Sequence, residues 1–284
     1  MHSFGQFILS WFVERRFALD GGTMFGVVPR VIWGKLMPVD ENNCVPMVTR
    51  LYVLEAGGKR YLVDTGLGDC LSEREQKVYV TGNDSGLDSG LAALGLTPSD
   101  IDVVLLTHLH TDHSGGAMKV DHGQFVPRFP NATYVVQRIE LEAALNPDER
   151  SAAAYSQERM GALEASGQLT VIDGDTELAP GVRAVVTGGH TAGHQGFEFT
   201  SGGETVANYC DIVPFAHHLR IPYIAATDLF PLETLRLKQR LIPRLVEERI
   251  TLALAHDFAH TLVCLAEERG RVTFTDVQPA VTGA

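Results

Sequence analysis

Three imidazoles and one carboxylate fall within six residues of the chain: His108, His110, Asp112 and His113. They follow the apolar run 103–106, which predicts a buried strand. Alternate side chains of an extended segment share a face, so His108 and His110 can bind one ion. Asp112 and His113 are adjacent and need a turn, which the following Ser-Gly-Gly allows, so they suit a second ion. These are ligand types of catalytic zinc, and the motif lacks the cysteines of a closed thiolate site.

The second half of the chain holds further candidate ligands. From the residues alone, either His190 or His194 can complete a set with the first two imidazoles of the motif. Asp211 ends an apolar strand pattern, where a carboxylate can bridge two ions. His256 closes another apolar run and can complete the set of the second ion.

Together these motifs resemble the metallo-β-lactamase superfamily. Its signature His-x-His-x-Asp-His is accompanied, in the family's order, by Asp64-Thr65-Gly66, by Gly-His-Thr-Ala-Gly-His at 189–194, by Asp211 and by His256. The resemblance implies an α/β fold, the αββα sandwich of two stacked mixed β-sheets flanked by helices. It also implies one such domain over residues 1–284.

The resemblance further implies how the ligands are shared. His108, His110 and His194 would bind one ion, Asp112, His113 and His256 the other, with Asp211 between the two ions. The second histidine of Gly-His-Thr-x-Gly-His is taken as the ligand, which leaves His190 a structural role. Asp64 would support the metal loop without binding metal.

Two divalent ions about 3.5–4 Å apart lower the pKa of shared water and polarise a carbonyl or phosphoryl oxygen. Zinc is the first expectation, and manganese, iron or cobalt would also suit these ligands. Hydrolysis by a metal-bridging hydroxide is the expected reaction. Asp112, near both ions, is the candidate that gives a proton to the departing alkoxide.

The substrate wall is less closely defined by the sequence. Met24, Phe25 and Trp33 lie among glycines and suit either the core or a substrate-facing wall. The resemblance to the quorum-quenching N-acyl-homoserine lactonase branch favours the wall. This implies a small-molecule lactone or ester as substrate.

One position departs from that branch. The better-known lactonases carry a tyrosine three residues after the bridging aspartate, where this chain has Pro214. Tyr223 or Tyr209 could take its place, and we expect Tyr223 to contact substrate.

Several rival functions use the same centre. A phosphotriester (organophosphate) or aryl-ester hydrolase is the main alternative, since the same hydroxide attacks either group. A thioester hydrolase of the glyoxalase II type is disfavoured by the lack of a basic carboxy-terminal patch. A tRNA-processing nuclease is disfavoured by charge, and a metal-stabilised binding scaffold would require a missing ligand.

Composition sets the remaining bounds. The 284 residues are 45% hydrophobic and carry a net charge of -12, which argues against nucleic acid or an anionic membrane as partner. The four cysteines have no paired spacing, as expected of free thiols in a reducing compartment. No signal peptide or membrane-spanning run is evident, so a soluble cytoplasmic protein is expected. A homodimer is compatible with the sequence.

The elements that must position these ligands can also be predicted. Strands are indicated at 6–19, 49–55, 59–64, 103–106, 132–137, 169–172, 182–187, 196–200, 205–209 and 251–255. Helices are indicated at 86–94, 137–145, 155–165 and 231–250, the last kinked at Pro243. Strands in both halves with helices around them agree with two covered sheets.

Overall fold

The computed structural model of the protein describes residues 1–278. Its strands form two seven-stranded sheets and one hairpin. Strands β1 to β5 are His2–Phe4, Phe7–Asp20, Cys44–Ala56, Lys59–Val63 and Val103–Leu105. The hairpin is β6 (Met118–Asp121) with β7 (Gln124–Pro127), and β8 (Thr133–Gln137) and β9 (Leu169–Ile172) complete the first sheet. The second sheet contains β10 to β16, which are Thr176–Ala179, Val182–Val186, Gln195–Ser201, Glu204–Asn208, Thr251–Ala253, Leu262–Glu268 and Arg271–Asp276.

Both sheets are mixed. In the first, the order is β1-β2-β3-β4-β5-β8-β9, and pairing is parallel from β4 to β9. In the second, which follows chain order, β13 and β14 pair in parallel. The α-helices α1 to α8 are Gly21–Phe25, Arg30–Trp33, Glu73–Val78, Leu87–Ala93, Thr111–Ser114, Arg138–Leu145, Gln157–Ala165 and Pro231–Glu247.

Alternation along β3 shows how the first sheet is covered on both faces. Tyr52 and Leu54 belong to the core that lies between the two sheets, together with Phe197 of the second sheet. Leu51 and Val53 point the other way, into a core shared with helices α4, α6 and α7. Strand side chains alternate between faces, so a run that is apolar at every position predicts a strand buried on both sides.

The outer face of the second sheet is covered by α8. Leu241, Ile242 and Leu245 of this helix pack with Leu252 of β14 and Val263 of β15. Each fully buried side chain of this size contributes about 1.5–3 kcal/mol. The layers are therefore helix, sheet, sheet and helix, which confirms the predicted αββα fold class.

Some boundaries differ from the prediction. Helix α8 continues through Pro243 and ends at Glu247, because Arg249 adopts a left-handed backbone (φ 54°) that a helix cannot continue. The predicted strand at 251–255 ends at Ala253. Strands β15 and β16, which the sequence analysis missed, form an edge hairpin across Arg269 and Gly270. Within residues 1–278, every helix is too short or too polar to cross a bilayer.

Candidate metal centre

The ligand loop begins where β5 ends and is held by a carboxylate from the neighbouring strand end. Asp64, directly after β4, accepts hydrogen bonds from the backbone N of Thr107 at 2.8 Å and from its hydroxyl at 2.9 Å. The short helix α5 supplies the turn at Asp112 and His113. Gly116 follows, and a Cβ there would lie 2.2 Å from the carbonyl oxygen of Thr65, so the turn needs glycine. These contacts fix the direction of the loop.

A first group of candidate ligand atoms is formed by His108, His110 and His190. The Nδ1 atom of His110 lies 3.1 Å from Nε2 of His108 and 3.0 Å from Nε2 of His190. All three side chains are buried. One cation placed among these nitrogens could be bound by all three.

A second group is formed by Asp112, His113 and His256. The Nε2 atoms of His113 and His256 lie 3.1 Å apart, and Oδ2 of Asp112 lies 3.5 Å from the first and 3.7 Å from the second. His113 and His256 come from opposite halves of the chain, so the fold brings them together across the edge of the sandwich.

Asp211 lies between the two groups. Its Oδ2 atom is 3.2 Å from Nε2 of His190, on the first group. Its Oδ1 atom is 3.0 Å from Nε2 of His256 and 3.5 Å from Nε2 of His113, on the second. Each oxygen therefore faces one group, as a bridging carboxylate requires.

In His113, His256 and His190, the ring nitrogen that faces away from the two groups has a hydrogen-bond partner. Nδ1 of His113 lies 3.0 Å from Asp64, and Nδ1 of His256 lies 2.9 Å from the carbonyl oxygen of Val48. Nδ1 of His190 lies 2.9 Å from Asp228. A proton on Nδ1 leaves the Nε2 lone pair free, which is the usual arrangement of a metal-binding histidine.

The structure gives His190 and His194 different surroundings, whereas the sequence analysis took His194 as the ligand. His190, placed there by the left-handed turn of Gly188 and Gly189, joins the first group. His194 instead has its Nδ1 atom 2.5 Å from the hydroxyl of Thr187, and its buried Nε2 has no hydrogen-bond partner among residues 1–278. Sequence spacing could not separate two histidines four residues apart, because the choice depends on a turn and on a distant carboxylate.

Electrostatics favour ionised carboxylates at Asp112 and Asp211 and neutral imidazoles at His108 and His110. Burial alone would favour protonated carboxyls, but the adjacent imidazoles, led by His113, hold the pKa of Asp211 well below its ordinary value and lower the pKa of Asp112 to about 2. Burial lowers the pKa of His110 to about 3 and the pKa of His108 well below its usual range. Metal binding needs these protonation states.

His113 and His190 are the exceptions. Burial opposes the charge of His113, but Cys210, Asp112 and Asp211 raise its pKa well above the ordinary value. Burial also opposes the charge of His190, but Asp211 and Asp228 raise its pKa. The negative charge of this cluster is therefore large enough to favour a proton on a buried imidazole. A divalent cation would balance the same negative charge.

A cavity of about 400 Å³ opens onto both groups. The ligand candidates in its lining are His110, Asp112, His190, Asp211 and His256. Apolar side chains form much of the wall, among them Leu19, Met24, Met47 and Leu229, and Arg150 is a cation in the lining. The sequence prediction for Met24 is therefore consistent with its position.

Phe25, Trp33 and Tyr223 are not brought to this cavity. They belong to the buried core behind Met24, where the rings of Phe25 and Trp33 stack with their centroids 5.1 Å apart. Tyr223 packs edge-on against Phe25. The large rings are thus used to pack the wall from behind, which corrects the prediction that they face the substrate.

The phenol that reaches the cavity is Tyr79, which the sequence analysis missed. Its hydroxyl donates to Oδ1 of Asp112 at 3.3 Å. Tyr209 instead hydrogen-bonds to Glu198, away from the cavity. The capping box of Ser72 and Glu75 could have revealed helix α3, whose C-cap residue is Tyr79.

Comparisons with known proteins identify relatives of this chain. A family model described as the metallo-beta-lactamase superfamily matches residues 46–261. An N-acyl homoserine lactonase of Bacillus thuringiensis is 31% identical over 186 residues, which cover 58% of this chain and 68% of that protein. The crystal structure of a probable metal-dependent hydrolase from Staphylococcus aureus superposes with a TM-score of 0.89 at 28% identity, covering 98% of this chain and 100% of the other. AidC, a dizinc quorum-quenching lactonase in complex with a product, has a TM-score of 0.79 at 17% identity, covering 97% and 96%, and supports the fold alone.

Proposed function

Because the chain belongs to the metallo-β-lactamase superfamily, we propose that it is a dinuclear hydrolase that opens lactone esters of the N-acyl homoserine lactone type. The match over residues 46–261 confirms the family resemblance, and the chain is a metal-dependent hydrolase. The lactone substrate is supported by the relative named N-acyl homoserine lactonase.

The observation that best supports a metal centre is the contact between His113 and His256. Each uses its Nδ1 for a hydrogen bond, so each Nε2 presents a lone pair, and these two atoms lie 3.1 Å apart. Two lone pairs at this distance repel each other unless a proton or a metal ion lies between or beside them, in agreement with the raised pKa of His113. Asp112 and Asp211 add negative charge at the same point. The donor set therefore fits a divalent cation.

We assign His108, His110 and His190 to one ion and Asp112, His113 and His256 to the other, with Asp211 shared. Bound divalent ions would supply an activated water and polarise the substrate's carbonyl oxygen. Zinc is the proposed metal, because imidazole and carboxylate ligands without thiolates are typical of catalytic zinc.

Asp112 is proposed to move the proton. Its Oδ2 atom faces the second ligand group, whereas its Oδ1 atom faces Tyr79 at the cavity. Water adds to the carbonyl carbon, the ring C–O bond breaks, and Asp112 passes the proton of that water to the departing alkoxide. The product is the ring-opened hydroxy acid.

A panel of substrates tests this proposal against phosphotriester and aryl-ester hydrolysis. The purified, zinc-loaded protein would be given N-hexanoyl homoserine lactone, paraoxon and p-nitrophenyl acetate. We expect kcat/KM for the lactone to reach at least about 10⁴ M⁻¹s⁻¹, the low end of enzyme values, and to exceed both others. Faster turnover of paraoxon, or no lactone opening, would contradict the proposed substrate.

A further inference from the structure

A second cavity adjoins the active-site cavity, and Tyr79 lines both. The second cavity has a volume of about 390 Å³, close to the 400 Å³ of the first. The segment 151–155 completes the division. Ser151 and Ala154 line the active-site side, whereas Ala152 and Ala153 line the other side. One aromatic ring and a few small residues therefore separate two spaces of similar size.

Tyr79 is held in place at several points. Its backbone N donates to the carbonyl oxygen of Glu75 at 2.9 Å, and its own carbonyl oxygen accepts from the backbone N of Ala18 at 3.2 Å. Its ring packs edge-on against Phe17, with centroids 5.8 Å apart, and its hydroxyl donates to Asp112. The side chain is buried. A ring fixed at both ends is a rigid partition.

The second cavity can accept an uncharged chain. Leu71, Val78 and Phe125 supply apolar surface in its lining. The buried guanidinium of Arg159 lies 2.5 Å from Glu75, so the charges of this pair are mutually neutralised. Arg74 and Glu158, also in the lining, are exposed, so their charges can remain in water. An acyl chain that passed the position of Tyr79 would therefore meet apolar side chains and a neutral ion pair beside these two exposed charges.

We infer that Tyr79 is the specificity-determining residue that limits the length of the acyl chain, by closing the active-site cavity against the second one. This inference rests on the proposed function, because it concerns the acyl part of that substrate. The wild-type protein is accordingly a hydrolase of short-chain acyl substrates. The second cavity is a latent subsite for a longer chain.

Removing the ring tests the inference. Tyr79→Ala joins the two cavities, whereas Tyr79→Phe keeps the ring and loses only the hydroxyl. The kcat/KM values would be measured for N-acyl homoserine lactones of increasing chain length. A methylene that becomes buried raises kcat/KM by up to about fourfold, from about 0.8 kcal/mol per CH₂. We expect this rise to stop at a short chain in wild type and in Tyr79→Phe, and to continue to longer chains in Tyr79→Ala.

A refilling variant provides the matched control. Ala153 is exposed and lines the second cavity, so Ala153→Phe can fill that space without meeting the metal centre. In the Tyr79→Ala background it should restore the short-chain limit. The inference would be overturned if the chain-length limit were unchanged in a folded, metal-loaded Tyr79→Ala protein. It would also be overturned if Tyr79→Phe shifted the limit as much as Tyr79→Ala does.

A failure of the inference about Tyr79 can be distinguished from a failure of the proposed function. If wild type opens no lactone, the proposed function fails. The chain-length series is then repeated with straight-chain carboxylates, whose binding by calorimetry needs no turnover. A length limit that moves with the ring of Tyr79 supports the partition, and equal limits in all variants reject it.

Discussion

Asp228 holds the ring of His190 from the side opposite the ligand group. The Oδ1 atom of Asp228 lies 2.9 Å from Nδ1 of His190, and both side chains are buried. Thr234, in the first turn of α8, donates to the other oxygen of Asp228 at 2.6 Å. The long helix of the second half thereby fixes the orientation of one imidazole in the first ligand group.

Asp228→Asn should weaken metal binding through this contact. The amide keeps the size of the side chain but loses the charge that holds the Nδ1 proton of His190. Loss of such a partner typically lowers metal affinity about 10–100-fold. Zinc affinity, measured by competition with a chelator, checks this. Asp173→Asn, in an exposed ion pair with Arg138, is the matched control and should leave affinity unchanged.

His190→Ala and His194→Ala should separate the two histidines of the same motif. His190→Ala removes a nitrogen from the first group, so elemental analysis should show loss of metal and of activity. His194→Ala should keep its metal and instead lower the free energy of unfolding by about 1–3 kcal/mol, because a buried ring is lost. Metal loss in His194→Ala alone would restore the ligand assignment that the sequence suggested.

The difference between these histidines shows which features of the site could be predicted from the sequence and which could not. Apolar runs at 103–106 and 251–255 predicted strands that end at ligands, because a strand buried on both faces has a local signature. The position of His190 in the first group could not be predicted, since it depends on Asp228, which is 38 residues away. Tyr79 was missed because nothing local connects a helix end with Asp112.

Asp112→Asn should slow lactone opening more than release of p-nitrophenolate. The amide can still contact the second ligand group but cannot carry a proton. General acid catalysis contributes about 10²–10⁴-fold, and a poor alkoxide leaving group needs it whereas p-nitrophenolate does not. The kcat values of both substrates, with metal content measured alongside, check this. Equal losses on the two substrates with metal retained would remove Asp112 from proton transfer.

Lys238 should make stability depend on pH. Its ammonium is buried and donates to the carbonyl oxygens of Tyr223 at 2.5 Å and Arg220 at 3.2 Å. Burial lowers its pKa to about 7, although the charge of Asp228 opposes this. The unfolded lysine keeps a pKa of about 10.4, so between these values the unfolded chain binds more protons and stability rises with pH, by up to about 1.4 kcal/mol per unit.

Denaturant unfolding of wild type and Lys238→Met at pH 7, 8 and 9 would measure this effect. We expect the stability of wild type relative to Lys238→Met to increase with pH over that range, because methionine does not titrate. Comparing the two proteins cancels the titration of other groups. A constant difference would mean that Lys238 remains charged in the folded state.

The two-ion centre is tested most directly by anomalous X-ray diffraction at the zinc absorption edge, from crystals of the zinc-loaded protein. We predict two peaks, one beside each carboxylate oxygen of Asp211. The first should be bound by His108, His110 and His190, and the second by Asp112, His113 and His256. A single peak, or a peak bound by His194 in place of His190, would contradict this account.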